Sequence, residues 1–279
     1  MPARHLNGDD LRDMTKRLRA HIIRSTTAAG SGHPSSSLSM VELLTVLYFG
    51  DVLRYDPDNP GDPERDRFIL SKGHGAPGLY AVLAEAGYFP LEELTDLRKL
   101  GSPLEGHPNM CRLAGVEAST GSLGQGLSIG IGHALAGRLD GRNYRVYVIT
   151  GDGESEQGQV WEAAMYAGNH GVENLTWIID RNRYQQTGAV DSIQSLDPLE
   201  DKLQAFGWQV RAIDGHSLEH VTEAFEWARE TKACPQAIIA RTIKGKGVAY
   251  LEERQSTFHG KALPLEEEER ALEEIGAGI

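Results

Sequence analysis

The chain alternates between helical and strand-like hydrophobic patterning along most of its length. Residues 9–29 put Leu11, Met14, Leu18, Ile22 and Ile23 on one side of an amphipathic helix, and a second, mostly apolar helix is expected over 38–50. A Pro- and Asp-rich loop follows at 56–66, and a short strand over 65–71 runs into a glycine-flanked histidine, His74. Helices are expected at 76–87 and 91–100, then a loop-like stretch at 101–120, then a small-residue-rich helix from Thr120 to about Leu139. The clearest strand is 144–150, rich in β-branched and aromatic residues. It ends at Gly151-Asp152-Gly153, where glycine permits a sharp turn. A helix over 159–168 follows, with Val160, Ala163, Ala164 and Ala167 at helical spacing, and then a second apolar strand at 175–179. The rhythm continues with a helix at 196–206, a strand at 208–213, a helix at 218–228 and a strand at 236–241. The acidic stretch 266–274 reads as a solvated helix or tail. Strands alternating with helices predict an α/β fold: a doubly wound, mostly parallel sheet with helices on both faces. One domain is expected over 1–279, with 1–30 and 250–279 as extensions.

Composition narrows the classes. The 279 residues give room for an ample core, and a net charge of −12 argues against nucleic acid and anionic membrane as partners. Cys111 and Cys234 have no metal-type spacing and form no disulfide framework, which fits a reducing cytoplasm. No apolar signal segment opens the sequence, and no run is long enough to cross a bilayer.

The chemistry gathers at strand ends. In a parallel sheet the strands after which Asp152 and Asn182 fall end at the same edge, where such folds place their ligands. One carboxylate, one amide oxygen and the Tyr184 carbonyl would suit Mg²⁺ carrying a diphosphate. Taken singly, Asp152 also reads as a helix cap and Asn182 as a turn residue. Four loop histidines sit beside glycine: His33 in Ser-Gly-His-Pro, His74 in Ser-Lys-Gly-His-Gly, His107 in Glu-Gly-His-Pro and His259 in Phe-His-Gly-Lys. Thr-Gly-Ser-Leu-Gly-Gln-Gly (120–126) adds a glycine-rich helix start, and Lys244 lies in Thr-Ile-Lys-Gly-Lys-Gly after the last strand.

GDG followed by about thirty residues and an Asn resembles the thiamin diphosphate signature, and residues 151–164 are worded like transketolase. The resemblance implies thiamin diphosphate with Mg²⁺ as cofactors, Ca²⁺ or Mn²⁺ being able to take the metal's place. It implies the fold of the family's diphosphate-binding domain and transfer of a two-carbon ketol unit between sugar phosphates. By resemblance Asp152, Asn182 and Tyr184 hold the metal, with Gly153 and Glu154 beside it in the cofactor frame. Ser36, His74 and Lys244 contact the cofactor, His74 at its diphosphate, and Gly121, Ser122 and Leu123 line its site. His33 and His259 assist proton transfer and hold the donor's hydroxyls, His259 also working near the diphosphate, while His107 holds the C1 hydroxyl. The resemblance covers about the first half of a transketolase. It therefore implies a separately encoded C-terminal subunit, two copies of each chain, and no activity for this chain alone. Alternatives are a split enzyme delivering its two-carbon unit to a carrier protein or an unusual sugar, and a non-catalytic cofactor-binding partner. One departure is Gln157, where the family usually has glutamate.

Overall fold

The computed structural model describes residues 5, 6, 8–254 and 258–277. The strand patterning becomes β1 (Arg67–Leu70), β2 (Val146–Gly151), β3 (Leu175–Arg181), β4 (Gln209–Asp214) and β5 (Gln236–Arg241). They form one sheet in the order β1-β2-β3-β5-β4, and every pairing is parallel. A parallel sheet is covered on both faces, and alternate residues here feed two hydrophobic clusters. Phe68, Leu70, Tyr147, Ile149, Ile178, Ile238 and Ala240 face one cluster, and Ile69, Val146, Val148, Leu175, Trp177, Ile179 and Ile239 the other.

The helices divide between those faces. On the first lie α1 (Gly8–Ala29), α2 (Pro34–Leu38), α3 (Val41–Phe49), α4 (Ala76–Glu85), α9 (Leu218–Glu230) and α11 (Glu268–Ile275), and on the second α5 (Gly126–Leu139), α6 (Gly158–Asn169) and α8 (Leu199–Ala205). Two single-turn helices, α7 (Val190–Ile193) and α10 (Ala249–Glu252), lie in the segments after β3 and β5. Helix α1 buries the stripe expected of it, with Leu18, Ile22 and Ile23 at most 1 % exposed. Each such side chain contributes about 1.5–3 kcal/mol relative to leaving it in water.

Several boundaries differ from the sequence reading. The helix expected over 38–50 starts later, as α3 from Val41, since Met40 (φ −108°, ψ 12°) leaves helical geometry, and the short α2 precedes it. The helix expected over 91–100 is only a 3₁₀ stretch, Leu91–Asp96: Leu97 leaves helical geometry, Arg98 takes φ 61°, and Leu100 is fully exposed. Helix α5 starts at Gly126 rather than Thr120, since Gly121 (φ 145°) and Gly124 (φ 85°) adopt backbone that a right-handed helix forbids. Helix α8 begins at Leu199 because Pro198 biases its predecessor away from helix. The acidic 266–274 stretch is not simply solvated: α11 buries Ala271 and Ile275 and packs on α1.

Candidate active site

The register of β2 and β3 pairs Val146 with Leu175 and continues to Gly151 with Asp180, so the two strands end level. Asp152 and Asn182 leave that shared edge one residue after β2 and β3. Asp152 is buried; its Oδ1 accepts from the Gly153 N–H (2.8 Å) and its Oδ2 from the Arg183 N–H (2.5 Å). Asn182 accepts from the Tyr184 N–H through Oδ1 (3.1 Å) and turns its amide nitrogen to Asp180 (3.4 Å). Burial first, and then the Asp180 charge, push the Asp152 carboxyl up to about 7. Lys72 is a cation that acts against this rise, and it is already paired with Asp180. The donor set of carboxylate, amide and carbonyl oxygens is the kind a hard divalent cation takes. Among the described residues no three His, Cys, Asp or Glu side chains cluster as a metal site, so any cation here would lean on neutral oxygens as well.

A cavity of about 250 Å³ opens at this edge, lined by Ser36, Lys72, His74, Leu123, Gly151, Asp152, Gly153, Glu154, Asn182, Tyr184 and His259 among others. Sequence segments from six regions therefore meet here. Gly121 and Ser122 are not part of that lining; Gly121 instead lies against His107, whose ring carbons would come within 2.9 Å of a Cβ there. Gly73 permits the same approach from the other side. A Cβ on Gly73 would sit 2.7 Å from the Gly121 nitrogen, so β1's exit and the 120–121 segment touch through bare backbone.

Three of the four expected histidines form a triangle. Ring centroids of His33 and His74 are 5.1 Å apart, His33 and His259 5.3 Å, and His74 and His259 5.2 Å. His107 stands next to this group, its backbone carbonyl accepting from the Tyr80 hydroxyl (3.2 Å). All four are held neutral, principally by burial. His33 is lowered to about 4, with Arg98 adding to the effect, and His259 to about 3, with Lys244 adding. His74 falls well below its ordinary value and His107 is lowered too. Lys244, lowered to about 8 by burial and then by Lys72, keeps its proton at neutral pH. An ammonium only donates. Its Nζ, 2.8 Å from Nδ1 of His259, therefore leaves the His259 ring proton on Nε2. Nδ1 of His33 is buried without a hydrogen-bond partner among the described residues.

Sequence reasoning missed the frame beneath this site. Lys72 and Asp180, at most 1 % exposed, form an ion pair, and Lys72 also donates to the Ser36 carbonyl (2.7 Å). Asp180 further accepts from Ser39 and Thr242. Burial would raise the Asp180 carboxyl, but Lys72 and the hydroxyls outweigh it and hold it below the ordinary range. Neither Lys72 nor Asp180 was singled out in the sequence. Glu154 is likewise tied internally, accepting from Ser71 (2.5 Å) and Gly124 N–H (2.8 Å) at Oε1 and from Gly151 N–H (3.0 Å) at Oε2. A larger cavity of about 540 Å³, lined by Arg54, Asp66, Arg145 and Arg229 among others, includes none of the motif residues.

Residues 11–278 match the family described as transketolase, thiamine diphosphate binding domain. The chain is 45 % identical over 270 residues to the transketolase of Pongo abelii, covering 96 % of this chain but 42 % of that protein. It is 46 % identical over 248 residues to the 6-deoxy-6-sulfo-D-fructose transketolase subunit SqwG of Clostridium sp. (strain MSTE9), covering 87 % of this chain and 90 % of that one. The crystal structure of transketolase from Campylobacter jejuni superposes with a TM-score of 0.90 at 32 % identity, over 97 % of this chain and 43 % of that one. The chain thus spans about two fifths of the full-length transketolases it matches, and it belongs to the transketolase thiamine diphosphate-binding domain family.

Proposed function

We propose that this chain is the N-terminal, diphosphate-binding subunit of a two-chain transketolase, with the site completed by a C-terminal partner chain and two copies of each in the assembly. The observation that carries the reading is the convergence of Asp152, Asn182, Tyr184, His74, Lys244 and His259 on one edge of the sheet, five of them lining one cavity and Lys244 bonded to His259. Asp152, Asn182 and the Tyr184 carbonyl would hold Mg²⁺, a buried carboxylate beside neutral oxygens meeting a cation that prefers oxygen. His74, Lys244, Ser36 and His259 would hold the diphosphate. Thiamin diphosphate, when bound, supplies the carbon nucleophile and carries the two-carbon unit from a ketose phosphate to an aldose phosphate.

The histidines follow from their neutrality. A neutral imidazole offers one donor and one acceptor, and can pass a proton to or from a sugar hydroxyl without first losing a charge. His259, with Nδ1 taken by Lys244, would present its Nε2–H to the substrate side. His33, with an unpartnered Nδ1, has a free position for a donor hydroxyl, and His107 would hold the C1 hydroxyl. Gly121, Ser122 and Leu123 would border the cofactor, with Leu123 in the cavity wall and Gly121 fixing His107. Gly153 and Glu154 support the frame, Glu154 by tying β1, β2 and the 124–126 turn together.

A coupled assay with xylulose 5-phosphate and ribose 5-phosphate, thiamin diphosphate and Mg²⁺ tests this reading. It compares this chain, its partner chain and the mixture; activity in the mixture alone is the expected result, and turnover by the partner alone would reduce this chain to a non-catalytic companion. A second reading rests on the relative that this chain matches over 90 % of its length, whose name specifies a sulfo sugar. Under it the donor is a 6-deoxy-6-sulfo ketose. Comparing kcat/KM for phosphate- and sulfonate-bearing ketoses in the same mixture separates the two.

A further inference from the structure

The turn that carries Lys244 is clasped by three residues that lie outside the cavity lining. Residues 242–247 follow β5, and the Ile243 N–H donates to Nε2 of His216 (2.8 Å). The other ring nitrogen of His216, Nδ1, lies 3.0 Å from Oε2 of Glu42. Since Nε2 is the acceptor, the proton of the ring sits on Nδ1 and is donated to the carboxylate. Glu42 in turn accepts from Arg19 (2.5 Å), and Nε of Arg19 donates to the Lys246 carbonyl (3.0 Å). One closed chain of contacts therefore grips the turn at the nitrogen of residue 243 and the oxygen of residue 246, on either side of Lys244. Glu42 and Arg19 are 6 % and 7 % exposed, and His216 comes from the turn between β4 and α9. Three elements distant in sequence thus fix a single short turn.

We propose that His216 is a positioning residue for the cofactor site: backed by Glu42 and Arg19, it sets the Lys244 turn, and through the Lys244–His259 bond it also sets His259. The inference rests on the cofactor reading above, but it concerns residues which that reading does not use. The imidazole suits this task because it spans two partners at opposite ends of a rigid ring, one an acceptor and one a donor. Alanine breaks both contacts. Glutamine keeps an amide oxygen within reach of the Ile243 N–H.

The test uses His216→Ala and His216→Gln in the full chain, alone and with its partner chain. Hydrogen exchange is read for the segments 242–248 and 236–241, and thiamin diphosphate is titrated into the two-chain protein at fixed excess Mg²⁺, followed by tryptophan quenching. His216→Ala should speed exchange at 242–248 by about tenfold while leaving 236–241 unchanged, the pattern of a local opening. It should raise the half-saturating thiamin diphosphate concentration about tenfold, with kcat at saturating cofactor within about threefold of wild type. His216→Gln should recover most of both losses. An Ala variant that binds cofactor like wild type, faster exchange throughout the chain, or a Gln variant no better than Ala would each overturn the inference. Wild-type protein that fails to bind thiamin diphosphate refutes the cofactor reading itself and this inference with it. Wild-type binding with an unaffected Ala variant refutes the inference alone.

Discussion

Removing Lys72 should expose how much the site depends on its buried ion pair. Lys72 and Asp180 are at most 1 % exposed, and the Asp180 carboxylate takes further hydrogen bonds from Ser39 and Thr242. Lys72→Met keeps the length and apolar stem of the side chain but leaves the carboxylate without its cation. Breaking a buried pair from one side costs about 3–5 kcal/mol, a large share of the roughly 5–15 kcal/mol that holds a domain folded. In urea, with a slope of about 2–3 kcal/mol/M, the midpoint should fall by roughly 1–2 M. Replacing both partners removes the orphaned charge, so Lys72→Met/Asp180→Asn should regain about half of the loss or more.

The pH dependence supplies a second sign. In the wild type the Asp180 carboxyl is depressed, so its stabilising effect is present above the ordinary aspartate range and is lost only as pH falls through the lower folded value. Without Lys72, burial is opposed only by the Ser39 and Thr242 hydrogen bonds and the carboxyl rises, so the variant gains relative stability as pH falls. The gap between wild type and Lys72→Met should therefore narrow from pH 8 to pH 5. A single variant within about 1 kcal/mol of wild type, or a double variant whose loss equals the sum of the two single losses, would refute the reasoning.

Asp152→Asn should flatten the pH dependence of stability in the absence of metal and abolish Mg²⁺-dependent thiamin diphosphate binding, its net gain at pH 8 reduced because the new amide NH₂ cannot accept from one of the two backbone N–H groups; the rise of Asp152 from 3.8 to about 7 corresponds to on the order of 4 kcal/mol, present below the ordinary aspartate range and lost as pH rises towards 7. Thermal melts with EDTA and with Mg²⁺ at pH 5.5 and pH 8 check both halves. The ring resonances of His33 and His259 should stay fixed between pH 5.5 and pH 8, since both are lowered to about 4 or below, and their burden on stability appears only as pH falls from about 6.5 towards those values, the unfolded chain protonating first. Resonances that titrate near pH 6.5 would contradict the burial of this cluster. Gly73→Ala should weaken cofactor binding by about tenfold or more, because the new methyl group meets backbone at 2.7 Å and must displace the 120–121 segment; tryptophan quenching in the two-chain protein measures it.

The periodicities carried most of the fold. Every expected strand forms, four of the five as mostly buried apolar runs and β4 with only Ile213 buried, and the parallel order brings the predicted edge residues together. Where prediction slipped, a distant partner had decided the local geometry. The break before α3 falls at Met40, next to a Ser39 bonded to the distant Asp180, and the expected helix over 91–100 stops because Leu97 turns out of it and no core receives Leu100. The site followed the same rule. His33, His74, His107, His259 and Asp152 were singled out from short motifs, since each lies beside glycine, and Asn182 from its place after a strand. Lys72, Asp180, Glu42, His216 and Arg19 were not, for their meaning lies in pairs separated by 23 to 174 residues.

The charges around the cavity point the same way as the motifs. Asp152 is pushed towards neutrality and Lys244 is drawn down towards it, although Lys72 favours the Asp152 carboxylate and Asp152 favours the Lys244 ammonium. Burial outweighs these attractions in both cases. A ligand bringing a divalent cation to Asp152 and an anion to Lys244 would reverse both effects together, restoring the carboxylate and the ammonium. The histidines would remain neutral between them, because burial is their main cause and a ligand filling the cavity only deepens it. A site tuned for one isolated ion would need only half of this arrangement. The paired strain on an acid and a base, with neutral imidazoles between, is what a metal-bound diphosphate would relieve.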